Sequence, residues 1–381
     1  MSGPGAAASP VIFISAGEES GDLHGAALAR ALRERFPSAR LIGLGGARME
    51  AEGVTLLAGL KDLAVMGLVE VVRHLPFFIR LRREVFAVLE RERVDLVIPI
   101  DYPGFNLRLA RHAKERGIPV LYYIAPQVWA WHKSRVADLA RDADEVAVVL
   151  PFEEDFLKKG RVNARFVGHP LLDRADPPLP RGEWARSHGL DPARPVLALF
   201  PGSRAQEVRR HLELFSDAAA LVVERRPDTQ PVIGVPGGID PGVYAAARWP
   251  RIPSADGLLQ YATAALAKSG TTTLEAALAM TPLVVTYRMN ALSYALARRL
   301  VKVPHIALAN LIAEERVAPE FVQEAATPRA LADAVLPLLD EQSPERRRMI
   351  DGLARVRERL GGAGASRRVA GLAADLLARG R

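Results

Sequence analysis

A chain of 381 residues with 49% apolar composition exceeds what one hydrophobic core holds and predicts two domains. The absence of cysteine excludes disulfides, thiolate zinc sites and cysteine nucleophiles and fits a reducing, cytoplasmic location; no apolar stretch is long enough to cross a bilayer or form a signal-peptide core. An excess of 51 Lys and Arg over 44 Asp and Glu gives a net charge of +7, which favours phosphates and lipid headgroups, but 6% aromatic residues without a dense basic stripe speaks against a nucleic-acid partner.

Residues 1–10 carry no periodicity and predict a disordered start. Short β-rich runs then alternate with amphipathic helical stretches: Val11–Ser15, Leu41–Leu44, Leu96–Ile100, Val120–Ile124 and Val146–Val149. The alternation pauses in a Pro-rich hinge over 173–182 and resumes with Val196–Phe200, Val232–Val235, Ala264–Lys268 and Leu283–Tyr287. The pattern predicts an α/β protein of two Rossmann-like halves, 11–172 and 183–340, followed by helices over 341–381 that pack back on the first half or on a partner subunit.

In open parallel sheets ligands collect at the carboxyl ends of the strands, so the loops there carry the chemistry. After the first strand, Gly17, Gly21 and Gly25 allow close backbone approach. Glu18, Glu19 and Asp22 would repel a pyrophosphate, so the loop with Ser20 suits a sugar acceptor. A capped strand-to-helix turn with solvated acids explains each of these residues equally well. Asp101 stands at the mouth of the Leu96–Ile100 strand, where partial desolvation raises a carboxyl pKa and suits a proton acceptor; a helix-entry cap by Asp101 or Asn106 is the alternative. Gln127, Trp129 and Trp131 either line an apolar acceptor cleft or pack as ordinary core.

In the second half, Pro201-Gly202-Ser203-Arg204 precedes a helix and forms an anion cradle with Arg204 as the phosphate clamp. Ser269, Gly270 and Thr271 open another helix whose Glu275 is suited to ribose hydroxyls, although Thr272 and Glu275 also fit a capping box. Asp142-Ala143-Asp144 imitates a metal motif but precedes its strand, and the reading assigns no metal. Residues 65–83, with Met66, Phe77 and Phe78, mix large apolar side chains with Arg at helical spacing and predict a partly exposed greasy surface suited to a bilayer interface, against the alternative of buried core.

Eight motifs, in order, resemble lipid-A-disaccharide synthases: Gly17 to Asp22, Val65 to Val71, Asp101 to Asn106, Pro126 to Trp131, Val167 to Leu171, Pro201 to Arg204, Ser269 to Thr271 with Leu274-Glu275, and Tyr287 to Met289. The resemblance implies a GT-B fold, two Rossmann-like domains facing each other across a cleft with C-terminal helices crossing over. It implies an inverting transfer from UDP-2,3-diacylglucosamine to 2,3-diacylglucosamine 1-phosphate (lipid X), giving the β-1,6 disaccharide and UDP. It further implies a homodimer held peripherally at the inner-membrane surface, with no cofactor.

On the matched positions Asp101 and Arg204 carry over as catalytic groups. Ser203, Ser269, Gly270, Thr271, Glu275, Arg288, Met289, Asn310 and Gln323 fall to the UDP side. Glu18, Ser20, Asp22, Gln127, Trp129, Met66, Phe77 and Phe78 fall to the lipid acceptor. Rival readings are a UDP-N-acetylglucosamine 2-epimerase or N-acetylglucosaminyltransferase, and a non-catalytic nucleotide- or nucleic-acid-binding module resting on the positive charge.

Overall fold

A computed structural model describes residues 9–60, 68–129, 134–173, 179–290, 294 and 304–379, with the side chains of 68–75 left aside. Residues 1–8 of the expected disordered start, Met66, Trp131 and residues 174–178, half of the expected hinge, lie outside these residues. The chain divides into unit 1, Met1–Asp173 with Gly361–Arg381, and unit 2, Arg174–Leu360.

Unit 1 runs β1 (Val11–Ala16), α1 (Glu19–Arg35), β2 (Arg40–Gly45), α2 (Ala47–Ala51), β3 (Thr55–Gly59), α3 (Leu68–Arg91), β4 (Leu96–Ile100), α4 (Pro103–Glu115), β5 (Leu121–Tyr123), α5 (Arg135–Asp142), β6 (Glu145–Val148), α6 (Pro151–Lys159) and β7 (Ala164–Phe166). Its sheet is parallel, in the order β3-β2-β1-β4-β5-β6-β7. β1 and β4 are almost wholly buried because helices cover both faces, which is why they read as unbroken apolar runs.

Unit 2 runs α7 (Arg181–Ser187), β8 (Val196–Phe200), α8 (Ala205–Arg225), β9 (Gln230–Val235), β10 (Arg251–Pro253), α9 (Leu258–Tyr261), β11 (Ala264–Lys268), α10 (Thr272–Ala279), β12 (Leu283–Tyr287), α11 (Leu308–Ala313), β13 (Glu320–Val322), α12 (Pro328–Leu339) and α13 (Pro344–Arg359). Its parallel sheet has the order β10-β9-β8-β11-β12-β13. The last helix, α14 (Ala365–Arg379), belongs to unit 1 and packs on α1. The expected block of C-terminal helices is therefore split: α13 completes unit 2, where it packs on α10 and α11.

Both sheets reverse their strand order once, between β1 and β4 and between β8 and β11. At such a reversal the helices on either side diverge to opposite faces and leave a crevice beyond the strand ends. The register keeps each pair of ends level, Ala16 opposite Ile100 and Ala267 opposite Phe200. The loops opening at Gly17 and Asp101, and those opening at Pro201 and Ser269, therefore emerge side by side.

Candidate active site

In unit 1 the turn after β4 is strained. Asp101 and Tyr102 both adopt left-handed backbone, with φ of 44° and 48°, which costs about 1 to 2 kcal/mol for each non-glycine residue. Surrounding bonds impose it. The buried Asn106 shares its Nδ2 among the carbonyl oxygens of Asp101 (2.8 Å), Ile100 (3.1 Å) and Ser15 (3.2 Å), while its Oδ1 accepts from Ser15 Oγ (2.6 Å). The Tyr122 hydroxyl also donates to the Asp101 carbonyl, at 2.8 Å. The Tyr102 ring lies over Gly17, where an added Cβ would meet it at 2.4 Å; any larger residue would displace the ring. Asn106 is thus a staple between the ends of β1 and β4, which fixes the backbone that carries Asp101.

Neighbouring acids join this edge. Glu18 and Ser20 are exposed at the start of α1. Burial, followed by the charge of Glu18, raises the pKa of the Tyr102 phenol. Gln127 is exposed on the loop after β5. Trp129 is partly buried, and its Nε1 donates to Glu153 Oε1 at 3.0 Å while its ring meets Phe152 edge-on at 5.1 Å.

Glu153 was not singled out by the sequence. The residue is 3% exposed in the first turn of α6, where its Oε2 accepts from the Leu150 backbone N–H at 3.2 Å. Burial raises its pKa to about 7 against these hydrogen bonds, and the charge of Asp101 adds to the rise. The Pro151-Phe152-Glu153 step at a strand end, with Glu at the third helical position, is the sequence signal that was available. Between the ordinary 4.5 and about 7 the folded protein holds a proton that the unfolded chain has released. Stability from this group is therefore complete below about pH 4.5 and declines as pH rises to about 7. Glu153→Gln, neutral throughout, should flatten that part of the dependence of melting temperature on pH; coincident slopes in the two proteins would contradict it.

One acceptor-side expectation is corrected. Asp22 is buried, and its carboxylate accepts from the backbone N–H groups of Gly46 (2.7 Å), Met49 (3.1 Å) and Arg48 (3.2 Å). It ties the start of α2 to α1 and is committed to the scaffold, since the N-terminal N–H groups of α2 have no partners within that helix. Phe77 and Phe78 are partly buried and pack against the core of unit 1. Both retain intermediate exposure, and the side chains of 65–75 of the expected greasy surface lie outside those described.

In unit 2, Ser203 and Arg204 are exposed where β8 gives way to α8, with Arg204 as the extended N-cap. Gly202, at φ 147°, leaves room for Glu207, whose Cβ would lie 2.4 Å from an added methyl. Glu207 Oε2 accepts from the Ser203 N–H (3.0 Å) and Oε1 from Lys268 Nζ (2.7 Å). Although burial works against its charge, the bond and charge of Lys268 and the Ser203 N–H hold the carboxyl below its ordinary pKa.

After β11, Gly270 and Thr271 open α10. The cap is Thr271, without a side-chain cap bond, so Thr272, the capping residue of the alternative reading, is already the first residue of the helix. Glu275 is half-buried in the first turn. Ser269 Oγ donates to the Ile306 carbonyl (2.7 Å), orienting the turn.

Beyond β12, Met289 donates its N–H to Gln323 Oε1 (2.9 Å) and accepts from Nε2 (3.2 Å). The Arg288 N–H donates to Nε2 of the buried His211, whose Nδ1 lies 2.8 Å from the Glu207 carbonyl. Because a carbonyl only accepts, Nδ1 carries the proton and His211 is neutral; burial lowers its pKa accordingly. Asn310 is fully buried, donating to Ala318 O and Glu320 Oε1 and accepting from the Ala318 N–H, each at 2.8 Å. Its amide holds the turn after α11 and is not presented to a ligand, which corrects its expected UDP contact.

Asp142 and Asp144 lie at the amino end of β6, Asp142 paired with Arg141, and Asp144 with Lys114 and the Val120 N–H. Among the described residues no three His, Cys, Asp or Glu gather to hold a metal ion. No helix among them is long and apolar enough to cross a membrane.

The sequence profile described as lipid-A-disaccharide synthetase matches residues 12–366. Curated relatives named lipid-A-disaccharide synthase include one from Trichlorobacter lovleyi, 42% identical with 96% of this chain and 97% of that protein covered. Another, from Myxococcus xanthus, is 38% identical with 98% and 99% covered. Among solved structures, a UDP-N-acetylglucosamine 2-epimerase from Neisseria meningitidis superposes with a TM-score of 0.65 at 10% identity, covering 97% of this chain and 100% of that one. The calicheamicin glycosyltransferase CalG4 superposes at 0.60 with 19% identity, covering 98% and 99%. At those identities the likeness is one of fold, and the fold is GT-B. With the sequence matches running nearly its full length, the chain belongs to the lipid-A-disaccharide synthases, the hexosyltransferases of lipid A biosynthesis.

Proposed function

We propose that the chain condenses UDP-2,3-diacylglucosamine with 2,3-diacylglucosamine 1-phosphate (lipid X), releasing UDP and lipid A disaccharide 1-phosphate. The acceptor 6-hydroxyl oxygen attacks the anomeric carbon as the bond to the UDP oxygen breaks, inverting that centre. Asp101 takes the hydroxyl proton and afterwards releases it to solvent, while UDP departs with the electron pair of the broken bond. Arg204 and the N–H groups opening α10 offset the charge on the departing diphosphate, so the reading takes no cofactor. The observation that carries it is the strained Asp101–Tyr102 step at the strand reversal of unit 1, held by Asn106 and Tyr122. Residues kept in left-handed backbone by their surroundings concentrate at active sites.

Exposed Glu18, Ser20 and Gln127 on the same edge suit the hydroxyls of a sugar acceptor. Ser203, Ser269, Gly270, Thr271, Glu275, Arg288, Met289 and Gln323 gather at the carboxyl edge of the unit 2 sheet and suit the nucleotide. The acylated substrates and the net charge of +7 favour a peripheral position on the cytoplasmic face of the inner membrane, and the family resemblance favours a homodimer. A 2-epimerase shares the fold, so the products decide. Folded protein incubated in detergent with both acylated substrates should yield the disaccharide 1-phosphate by mass spectrometry. No disaccharide, with UDP-N-acetylglucosamine consumed instead, would overturn the proposal.

A further inference from the structure

Lys268 ends β11 at the strand reversal of unit 2, yet no motif discussed so far assigns it a role. Its side chain is 14% exposed, an uncommon setting for an ammonium. The Nζ lies 2.7 Å from Glu207 Oε1, 5.3 Å from the centre of the Tyr287 ring, and 3.9 Å from where a Cβ would sit on Gly270. The charge therefore rests against the turn that opens α10.

The same Glu207 carboxylate accepts from the Ser203 N–H through its other oxygen, at 3.0 Å. One carboxylate thus gathers a lysine from the end of β11 and a backbone donor from the loop after β8. Those are the two loops that the level strand register brings out side by side. Two converging donors, one cationic and one from the backbone, are what an oxygen of a phosphoryl group requires.

Resting on the nucleotide-donor reading, we infer that Lys268 is a binding residue for the diphosphate of that donor and that Glu207 holds its place while the site is empty. When the nucleotide enters, a phosphoryl oxygen takes Lys268 Nζ and the Ser203 N–H from Glu207. The carboxylate turns outward, and the ammonium then lies where negative charge grows as the glycosidic bond to UDP breaks. The Tyr287 ring keeps the lysine over Gly270 during the exchange. A structural ion pair alone would leave nucleotide affinity unchanged when the charge is removed.

The test is UDP binding by calorimetry on the full chain, comparing wild type with Lys268→Met and with Lys268→Gln, which retains a hydrogen-bond donor for Glu207. One charge-assisted bond predicts that UDP binds on the order of 10- to 100-fold more weakly to each folded variant, with a shallower dependence on salt. Either folded variant binding UDP within about twofold of wild type would remove the role of Lys268. A wild-type protein that takes up no UDP would instead remove the nucleotide-donor reading beneath it.

Discussion

Exchange of Asp101 for asparagine is expected to lower kcat by about 10³-fold while UDP binds as tightly as to the wild type, since a positioned general base contributes roughly 10² to 10⁴. Asparagine is the informative replacement. Asp and Asn are the non-glycine residues most at ease in left-handed backbone, so the turn at φ 44° persists and only the charge is removed. Alanine would mix that loss with backbone strain. Turnover by single-cycle kinetics, set beside UDP affinity by calorimetry, separates the two effects. Parallel loss of turnover and UDP binding would make Asp101 a structural residue; retention of both would remove it from the mechanism.

The second large effect is expected at Asn106. Replacement by alanine removes the Nδ2 donor shared by the carbonyls of Ser15, Ile100 and Asp101, the last of which keeps the Tyr122 hydroxyl, and leaves Ser15 Oγ without its Asn106 acceptor. Losing several buried hydrogen bonds at once costs about 3 kcal/mol, a shift of roughly 10 °C in the melting transition of a unit this size. Turnover should fall further than that loss of folded protein explains, because the Asp101 turn then loses the Asn106 side-chain bonds that help to impose its left-handed backbone. An Asn106→Ala protein that melts with the wild type and turns over normally would show that the staple does not position Asp101.

The central strands were legible because burial on both faces writes an uninterrupted apolar run. Leu96–Ile100, Val196–Phe200, Ala264–Lys268 and Leu283–Tyr287 form strands over the predicted residues. Thr55–Gly59, Ala164–Phe166, Arg251–Pro253 and Glu320–Val322 were not anticipated. They are the outermost strands of the two sheets, three of them only three residues long, and a strand paired on one side needs no such run.

The site divides in the same way. Asp101 could be found because its chemistry follows from its place at a strand end. Asp22 could not be interpreted locally, since the helix it serves begins at Ala47, beyond an intervening strand. Glu153 is not legible locally because it is bonded to Trp129, a neighbour brought near by the pairing of β5 with β6. Asn310 looked like a ligand contact for want of the turn at Ala318 that consumes its amide.

The return of α14 to unit 1 makes that unit discontinuous along the chain. Val369, Leu372, Ala373, Leu376 and Leu377 are buried on this helix, which lies against α1. During synthesis α1 leaves the ribosome hundreds of residues before its covering helix exists, and unit 2 is complete in the interval. A nascent chain stalled near Leu360 therefore carries one finished unit and another with its flank uncovered. That species offers a chaperone or a protease an apolar strip that the finished protein conceals.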